Sequence, residues 1–466
     1  MTIIESARSR VRNLDDAAII TSAHTWTYRD LFSAVESFAG YLRRRHPSGE
    51  PLVAQLTDPL AVAVVTLGCD ATGTPVIHQD PTGHPTTPEA LVRHGRFPDG
   101  RLFDPVGAAD LIVSARTGPG PVPVLPPHTQ TFLTSGSTGV PVGVVRSAEA
   151  VLADAERIAA FLAYTPQTPI LVAAPLFHAY GFNYGLTGPL LSGAPARYCP
   201  ARSVPSQLSR TAQAHDVRTL IALPFHYTLM ADGIAAGACP DFAGVTRAVS
   251  AGAPLAPGAG AALRQHMAFT HHNCYGSSEA GAVTLRPTTG TEGVHDVGQP
   301  LPGVTMRVDG DGSQPGELLL RTSSLALGRI TMGGPGPLSP LPLTDGWYRT
   351  GDLAWPTTDS RIKLAGRVDW MFKVGGKQVN PVEIEQVLAA HPEVVDVHIL
   401  AETDDTRGKI PVARVVLRDG AASTPLVEWC RQRLAPHQVP RRIEQVAAIP
   451  RSATGKVLAA TAVEQR

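Results

Sequence analysis

Four short apolar runs, Leu52–Leu56, Val76–His78, Ile170–Ala174 and Thr219–Ala222, most constrain what this chain can fold into. Each reads as a strand apolar on both faces, and such a strand has to be covered from both sides. Helical segments supply the cover. In 31–45, Leu31, Phe32, Val35, Phe38, Ala39 and Leu42 recur at helical spacing, which predicts an amphipathic helix, and Ala61–Ala71 predicts a second one after the first strand. Strands alternating with helices in this way argue for α/β layering.

Length and composition narrow the class further. At 466 residues the chain exceeds one compact core and suits a large domain plus a smaller one. Hydrophobic residues at 43% rule out global disorder. Lys+Arg and Asp+Glu both number 40, so the net charge is zero and nothing points to a nucleic-acid partner. The five cysteines are scattered, without CxxC spacing, and predict free thiols in a reducing compartment in place of a disulfide framework or zinc site. The opening residues lack the apolar core of a signal peptide, and the best apolar run, Ala61–Leu67, is too short to span a bilayer. The expectation is a cytoplasmic protein with no membrane span.

Thr131–Val145, TFLTSGSTGVPVGVV, is an apolar strand, a Ser/Thr/Gly loop and a second apolar strand. Gly136 and Gly139 let the backbone approach a ligand closely, while Ser135, Ser137 and Thr138 crowd hydroxyl donors beside loop amides that form an anion nest. A polyphosphate needs such a surface. The Walker ending GKS/T is missing, since Gly139 leads into Val-Pro.

This loop and the motifs that follow it resemble those of the adenylate-forming superfamily: acyl-CoA synthetases, stand-alone adenylation domains and luciferases. In family order come PLFHAYGF (Pro175–Phe182), SAGAPL (Ser250–Leu255), NCYGSSEAG (Asn273–Gly281), GELLLR (Gly316–Arg321) and GWYRTGDL (Gly346–Leu353). GRVDWMFKVGGKQVNPVEIE (Gly366–Glu385) and PRSATGK (Pro450–Lys456) complete the series, and TWTYRDL and GTPVIHQDP fit its opening segments. The resemblance spans nearly the whole chain. It implies an α/β fold with a large multi-sheet N-terminal domain over 1–366, a hinge at 367–369 and a small mobile α+β domain over 370–466. In that last part Pro381–Ala390 and Leu426–Leu434 read as helices, and Val394–Leu400 and Ile410–Leu417 as strands.

The resemblance also implies an activity: ATP and Mg²⁺ convert a carboxylic acid to an acyl-adenylate, and the acyl group passes to the thiol of CoA or of a phosphopantetheinyl carrier protein. Transfer to a nitrogen acceptor is an alternative within the fold, and a non-catalytic nucleotide-binding relative is another outside catalysis. Residue by residue, Thr134, Ser135, Gly136, Ser137, Thr138 and Gly139 would cradle the β- and γ-phosphates. Gly252, Ala253 and Pro254 would wall the adenine pocket, with Tyr275 stacking on the base beside Gly276. Ser278 would reach the α-phosphate, and Glu279 would hold the metal through oxygen, as a hard cation requires. Asp352 and Arg367 would bind the ribose.

Lys456 would bridge the incoming carboxylate and the α-phosphate, an ammonium placed where charge develops. Asp369 matches the hinge, Gly375 and Gly376 the thiol channel, and Lys373 a lysine of the second conformation. His178 would gate the acid pocket, a carboxylate nucleophile needing no base near neutral pH. Ala179 stands where α-amino-acid adenylation domains carry an aspartate, which disfavours substrates with an α-ammonium. Phe182, Asn183, Phe225, His226 and Gly281 are candidate pocket residues, an apolar lining with a few hydrogen-bonding groups. One departure stands out: Val142 occupies a position where the family has lysine, and Arg146 is either its electrostatic substitute or a solvated surface residue.

Overall fold

The apolar runs do become strands, and most pair in parallel. In this computed structural model the described residues are 1–45, 50–81, 93–95, 111–113, 124–134, 141–253, 255, 257–288, 295–332, 337–356, 361–404, 408–418, 420, 422–450 and 457. The chain forms two units. The first comprises Met1–Val294, Gln299–Thr305 and Arg321–Gly346; the second comprises His295–Gly298, Met306–Leu320 and Trp347–Arg466.

In the first unit an eight-stranded sheet runs in the order Gly281–Pro287, Thr270–Ser277, Arg247–Ala251, Thr219–Ile221, Ile170–Val172, Ala196–Tyr198, Ala17–Ile20 and Thr25–Thr27. The six inner strands are mutually parallel and the two edge strands antiparallel. The loops after Val172, Ile221, Ala251 and Ser277 all leave one edge of the sheet, the carboxyl edge, where open α/β sheets bind ligands. A second sheet holds Leu52–Ala54, Val76–His78 and Thr129–Thr134 in parallel, then Val142–Ser147, Gly328–Thr331 and Ser339–Pro340 in antiparallel register.

The expected helices cover these sheets. Tyr28–Arg45 buries Leu31, Val35, Phe38 and Leu42. It packs on Pro59–Thr72, where the missing side chain of Gly68 admits the Phe38 ring: a Cβ there would lie 2.5 Å from it. Pro59–Thr72 is buried on every side from Leu60 to Asp70, as a sequence apolar there but for Thr66 and Asp70 leads one to expect. Asp58 caps its start by accepting from the Ala61 N–H, and Gly73, at φ 74°, ends it.

The second unit contains the antiparallel strands Asp296–Gly298, Ile362–Arg367 and Trp347–Pro356. Another sheet follows, ordered Lys377–Val379, Phe372–Val374, Gly408–Leu417 and Val394–Asp404, with Arg442–Gln445 also beside Gly408–Leu417. Helices Pro381–Ala389 and Thr424–Arg431 close a core of Phe372, Val379, Ile384, Leu388, Val415, Leu426 and Cys430. Val394–Asp404 runs four residues beyond the strand expected from sequence, because the partner strand pairs with its polar end from Ala401 to Asp404. The expected hinge, 367–369, lies inside this unit between its two sheets, and Asn380 ties them by donating from Nδ2 to the Ala365 carbonyl. Among the described residues no helix is long and apolar enough to cross a membrane. All five cysteines are free thiols.

Candidate active site

Three expected site segments emerge at the carboxyl edge of the eight-stranded sheet. After Ile170–Val172 the chain turns through Pro175 to His178, which precedes the short helix Ala179–Phe182. Gly181 makes the turn possible, since a Cβ there would sit 2.1 Å from the Pro175 carbonyl oxygen. The His178 ring packs against Phe177 at 4.6 Å between centroids, and the Tyr180 hydroxyl donates to the carbonyls of Ala222 and Val249. The Tyr180 contacts tie this segment to the residue after Thr219–Ile221 and to the middle of Arg247–Ala251. Phe182 is fully buried between His78 and Phe132, each 5.0 Å away. Asn183 is also buried and directs its amide to Asp154.

After Thr219–Ile221, Phe225 is 37% exposed, while His226 is buried and caps its own helix by accepting the Leu223 N–H at Nδ1. Burial holds that imidazole neutral, its pKa pushed down to about 4. After Arg247–Ala251, Gly252 takes φ 93°, with Ala253 next to it. The neighbouring strand places Tyr275 one residue beyond the Ala251–Cys274 pair. Gly252, just past the end of its strand, thus stands level with Tyr275 in the adjacent strand.

Tyr275, Gly276, Ser278, Glu279 and Gly281 belong to a bulged hairpin, with Gly276 opposite Ala282 and Ser277 opposite Gly281. A Cβ at Gly276 would meet the Gly281 carbonyl oxygen at 2.3 Å, and one on Gly281, at φ 75°, would meet Asp154 Oδ2 at 2.3 Å. The turn is held from beneath by a buried network the sequence reading missed. Asp154 accepts from the Ala282 N–H at 2.9 Å, from Arg146 at 3.2 Å and from Asn183, and Arg157 lies 3.6 Å away. Arg157 donates to the Ala282 carbonyl and to Ser324 Oγ, and Ser324 in turn donates to the Ala280 carbonyl. The Ala326 N–H reaches the Glu279 carbonyl at 2.7 Å. The available signal was Asp154 and Arg157 three residues apart on the helix Ala148–Phe161, both buried while Glu149 and Glu156 on the same helix are exposed.

Arg146 needs correcting in both its expected roles. It is fully buried, and besides Asp154 it donates to the carbonyls of Ala150 and Ser324. A guanidinium so committed neither faces solvent nor replaces a phosphate-binding lysine.

Thr134 and Val142 face each other at the open end of the antiparallel hairpin that bounds the Ser/Gly loop, and Thr134 Oγ1 donates to the Val142 carbonyl at 3.1 Å. Ser135, Gly136, Ser137, Thr138, Gly139, Pro254 and Lys456 lie outside the described residues. The Glu279 carboxylate pairs with Arg329 at 2.8 Å, and Arg329 sits on Gly328–Thr331, the strand beside that hairpin. Among the described residues no group of three or more His, Cys, Asp or Glu gathers as a metal cage. Mg²⁺ held largely by nucleotide phosphates and water needs only one or two protein carboxylates, so a lone Glu279 fits it.

In the second unit Asp352 and Arg367 are cross-strand partners, and the Arg367 guanidinium bonds both Asp352 at 2.7 Å and Asp369 at 2.9 Å. The two expected ribose ligands and the expected hinge residue thus share one ion-pair chain. Lys373 is exposed on Phe372–Val374. Gly375 and Gly376, at φ 55° and 81°, are the two turn residues of the tight hairpin joining that strand to Lys377–Val379.

The profile of the AMP-binding enzyme family matches residues 113–328, and that of the AMP-binding enzyme C-terminal domain matches 383–456. The mitochondrial malonate–CoA ligase of Mus musculus is 29% identical over 372 residues, 70% of this chain and 62% of that protein. The benzoate–CoA ligase of Thauera aromatica is 30% identical over 349 residues, 71% of this chain and 64% of that protein. The chain thus spans less than two thirds of the length of these relatives. The amide bond synthetase McbA from Marinactinospora thermotolerans superposes with a TM-score of 0.77 at 23% identity, over 98% of both chains. The two profiles cover more than half of the sequence, and the chain belongs to the adenylate-forming superfamily of AMP-binding enzymes.

Proposed function

We propose that the chain activates a carboxylic acid with ATP and then passes the acyl group to a thiol, that of CoA or of a phosphopantetheinyl carrier. The observation that carries the reading is the meeting of Glu279 with the strand flanking the Ser/Gly loop, at the sheet edge where Gly252 and Tyr275 also stand. ATP bound at this edge would have Tyr275 for its base and Glu279 for its metal ion.

In the first half-reaction a carboxylate oxygen of the acid attacks the α-phosphorus, a P–O bond forms, and the bond to the bridging oxygen breaks as pyrophosphate leaves. The loop amides and hydroxyls neutralise the departing charge, and Ser278 and Lys456 act on the α-phosphate. Bound Mg²⁺ would withdraw charge from the phosphate oxygens. In the second half-reaction a thiol sulfur attacks the acyl carbon and AMP leaves. Asp352 and Arg367 hold the ribose, Asp369 is the hinge, Lys373 serves the second conformation, and Gly375 and Gly376 keep the thiol's path clear. His178 separates the acid pocket from that path.

Ala179 sets the substrate class. An α-ammonium buried there without a carboxylate partner is strongly disfavoured, so the acid lacks one. Malonate– and benzoate–CoA ligases among the relatives support a thiol acceptor. The likeness to an amide bond synthetase keeps transfer to nitrogen as a second reading. Product analysis with CoA, a carrier protein or an amine separates the two: a thioester is expected, and an amide formed equally fast without any thiol overturns the first reading. Lys456→Ala is expected to lower adenylate formation about 10²–10³-fold, while thioester formation from a supplied acyl-adenylate persists; near-normal pyrophosphate exchange in that variant removes Lys456 from the mechanism.

A further inference from the structure

The Glu279–Arg329 pair joins the Glu279 hairpin to the strand Gly328–Thr331. The hairpin Thr129–Thr134/Val142–Ser147 offers one face at the loop end, and cross-strand partners share a face of a sheet. On that face Thr134 stands beside Val142 and Phe132 beside Val144. None of these four residues carries charge. The third strand, Gly328–Thr331, continues the same rows: Thr331 is opposite Val142 and Arg329 opposite Val144. The other face is apolar, with Ile330 and Val145 packed among Ile77, Leu125 and Met332. Arg329 is therefore the residue of these rows that brings a cation to the face, one row in from the Ser/Gly loop.

Its reach and exposure suit a ligand. Two residues along a strand are about 6.8 Å, a span an arginine side chain covers, so a guanidinium rooted at 329 serves the same end of the hairpin as a residue at 142. Nε and Nη2 both lie 2.8 Å from Glu279 Oε1. The Arg329 side chain is 38% exposed, in contrast to fully buried Arg146. A planar guanidinium with several donors recognises phosphate oxygens bidentately and exchanges a carboxylate partner for phosphate without changing charge.

We propose that Arg329 is a phosphate-binding residue of this chain, contacting the terminal phosphates of ATP and the departing pyrophosphate. The inference rests on the adenylation reading. Before nucleotide binds, the arginine holds Glu279 in place and neutralises it. With nucleotide bound, the phosphates take over the guanidinium and the carboxylate turns to the metal. The cation that the family places at position 142 has thus moved to the adjacent strand, and Val142 is no defect.

Equilibrium binding by calorimetry tests this on the whole protein, with Mg·ATP, Mg·pyrophosphate and AMP as probes. Arg329→Gln is expected to weaken ATP and pyrophosphate roughly ten- to a hundredfold, the loss of a charge-assisted hydrogen bond, and to leave AMP within about twofold, a change too small to register as one lost bond. Arg329→Lys, which keeps the charge, is expected to lie between. Adding Val142→Lys to Arg329→Gln is expected to restore pyrophosphate binding, a readout that a merely structural arginine would not move. Unchanged or tighter ATP and pyrophosphate binding in folded Arg329→Gln overturns the proposal, as does an equal loss of AMP. A wild-type protein that binds neither ATP nor AMP instead overturns the adenylation reading, and the inference with it.

Discussion

Asp154 illustrates how a single buried residue supports a site it does not touch. Its carboxylate serves Arg146, Asn183 and the backbone of the Glu279 hairpin, with Arg157 near by. Removing it leaves a buried guanidinium uncompensated, which typically costs about 3–5 kcal/mol. Asp154→Ala is therefore expected to lower the denaturant midpoint by a corresponding amount and, where still folded, to impair activity through the displaced turn. A change under about 1 kcal/mol, the size of an ordinary substitution, contradicts the network. At this scale the sequence was partly legible. The motifs holding Gly252, Tyr275, Glu279 and Asp352 were found through their resemblance to a known family, and the roles that follow from it are proposals. The Asp154 network could not be found in this way, because its partners lie up to 178 positions apart, as in the Arg146–Ser324 contact. Arg146 was misread for the same reason: nothing local distinguishes a buried arginine from a solvated one.

At the scale of elements, short apolar runs and helical spacing were enough to find the parallel strands and the helices that cover them. Strand pairing was not legible, since register between distant strands is set by packing. Gly375 and Gly376 show how an element carries two demands at once. Both have positive φ, as a two-residue turn requires, and nothing lies within 4 Å of a Cβ added at either. Asparagine is well tolerated in such a turn. Gly375→Asn is therefore expected to leave stability and pyrophosphate exchange unchanged while slowing thioester formation, if the open space above the turn is the thiol's path. Equal thioester rates restrict the glycine to the turn.

For the whole molecule, burial of neutral histidines predicts acid sensitivity. Desolvation pushes His78 and His226 down to about 4 and His271 to about 3. Their folded pKa values lie below the ordinary 6.5, so between about pH 6.5 and 4 the unfolded chain binds more protons and stability falls as pH drops. Asp70, raised by burial to about 6, acts in the opposite sense over most of this range, from about pH 6 downward. The histidines outnumber it, and each proton contributes at most about 1.4 kcal/mol per pH unit. Thermal melts are expected to fall from pH 7 to pH 5, less steeply in His271→Asn if that variant is otherwise folded; a flat profile contradicts the assigned neutral states. Motif order placed a boundary at 366, whereas residues 347–366 fall in the same compact unit as the C-terminal sheet, a placing that depends on tertiary contacts no local pattern announces.

The central claim is that this chain makes acyl-adenylates, and ATP–pyrophosphate exchange over a panel of acids tests it most directly. The panel should include aromatic, dicarboxylic and short aliphatic acids alongside the proteinogenic amino acids. Exchange dependent on at least one acid without an α-ammonium, and none above background with the amino acids, is the predicted result. Folded protein that supports no acid-dependent exchange across the panel would contradict the adenylation account, and exchange with an amino acid equal to that with the best simple acid would contradict its substrate class.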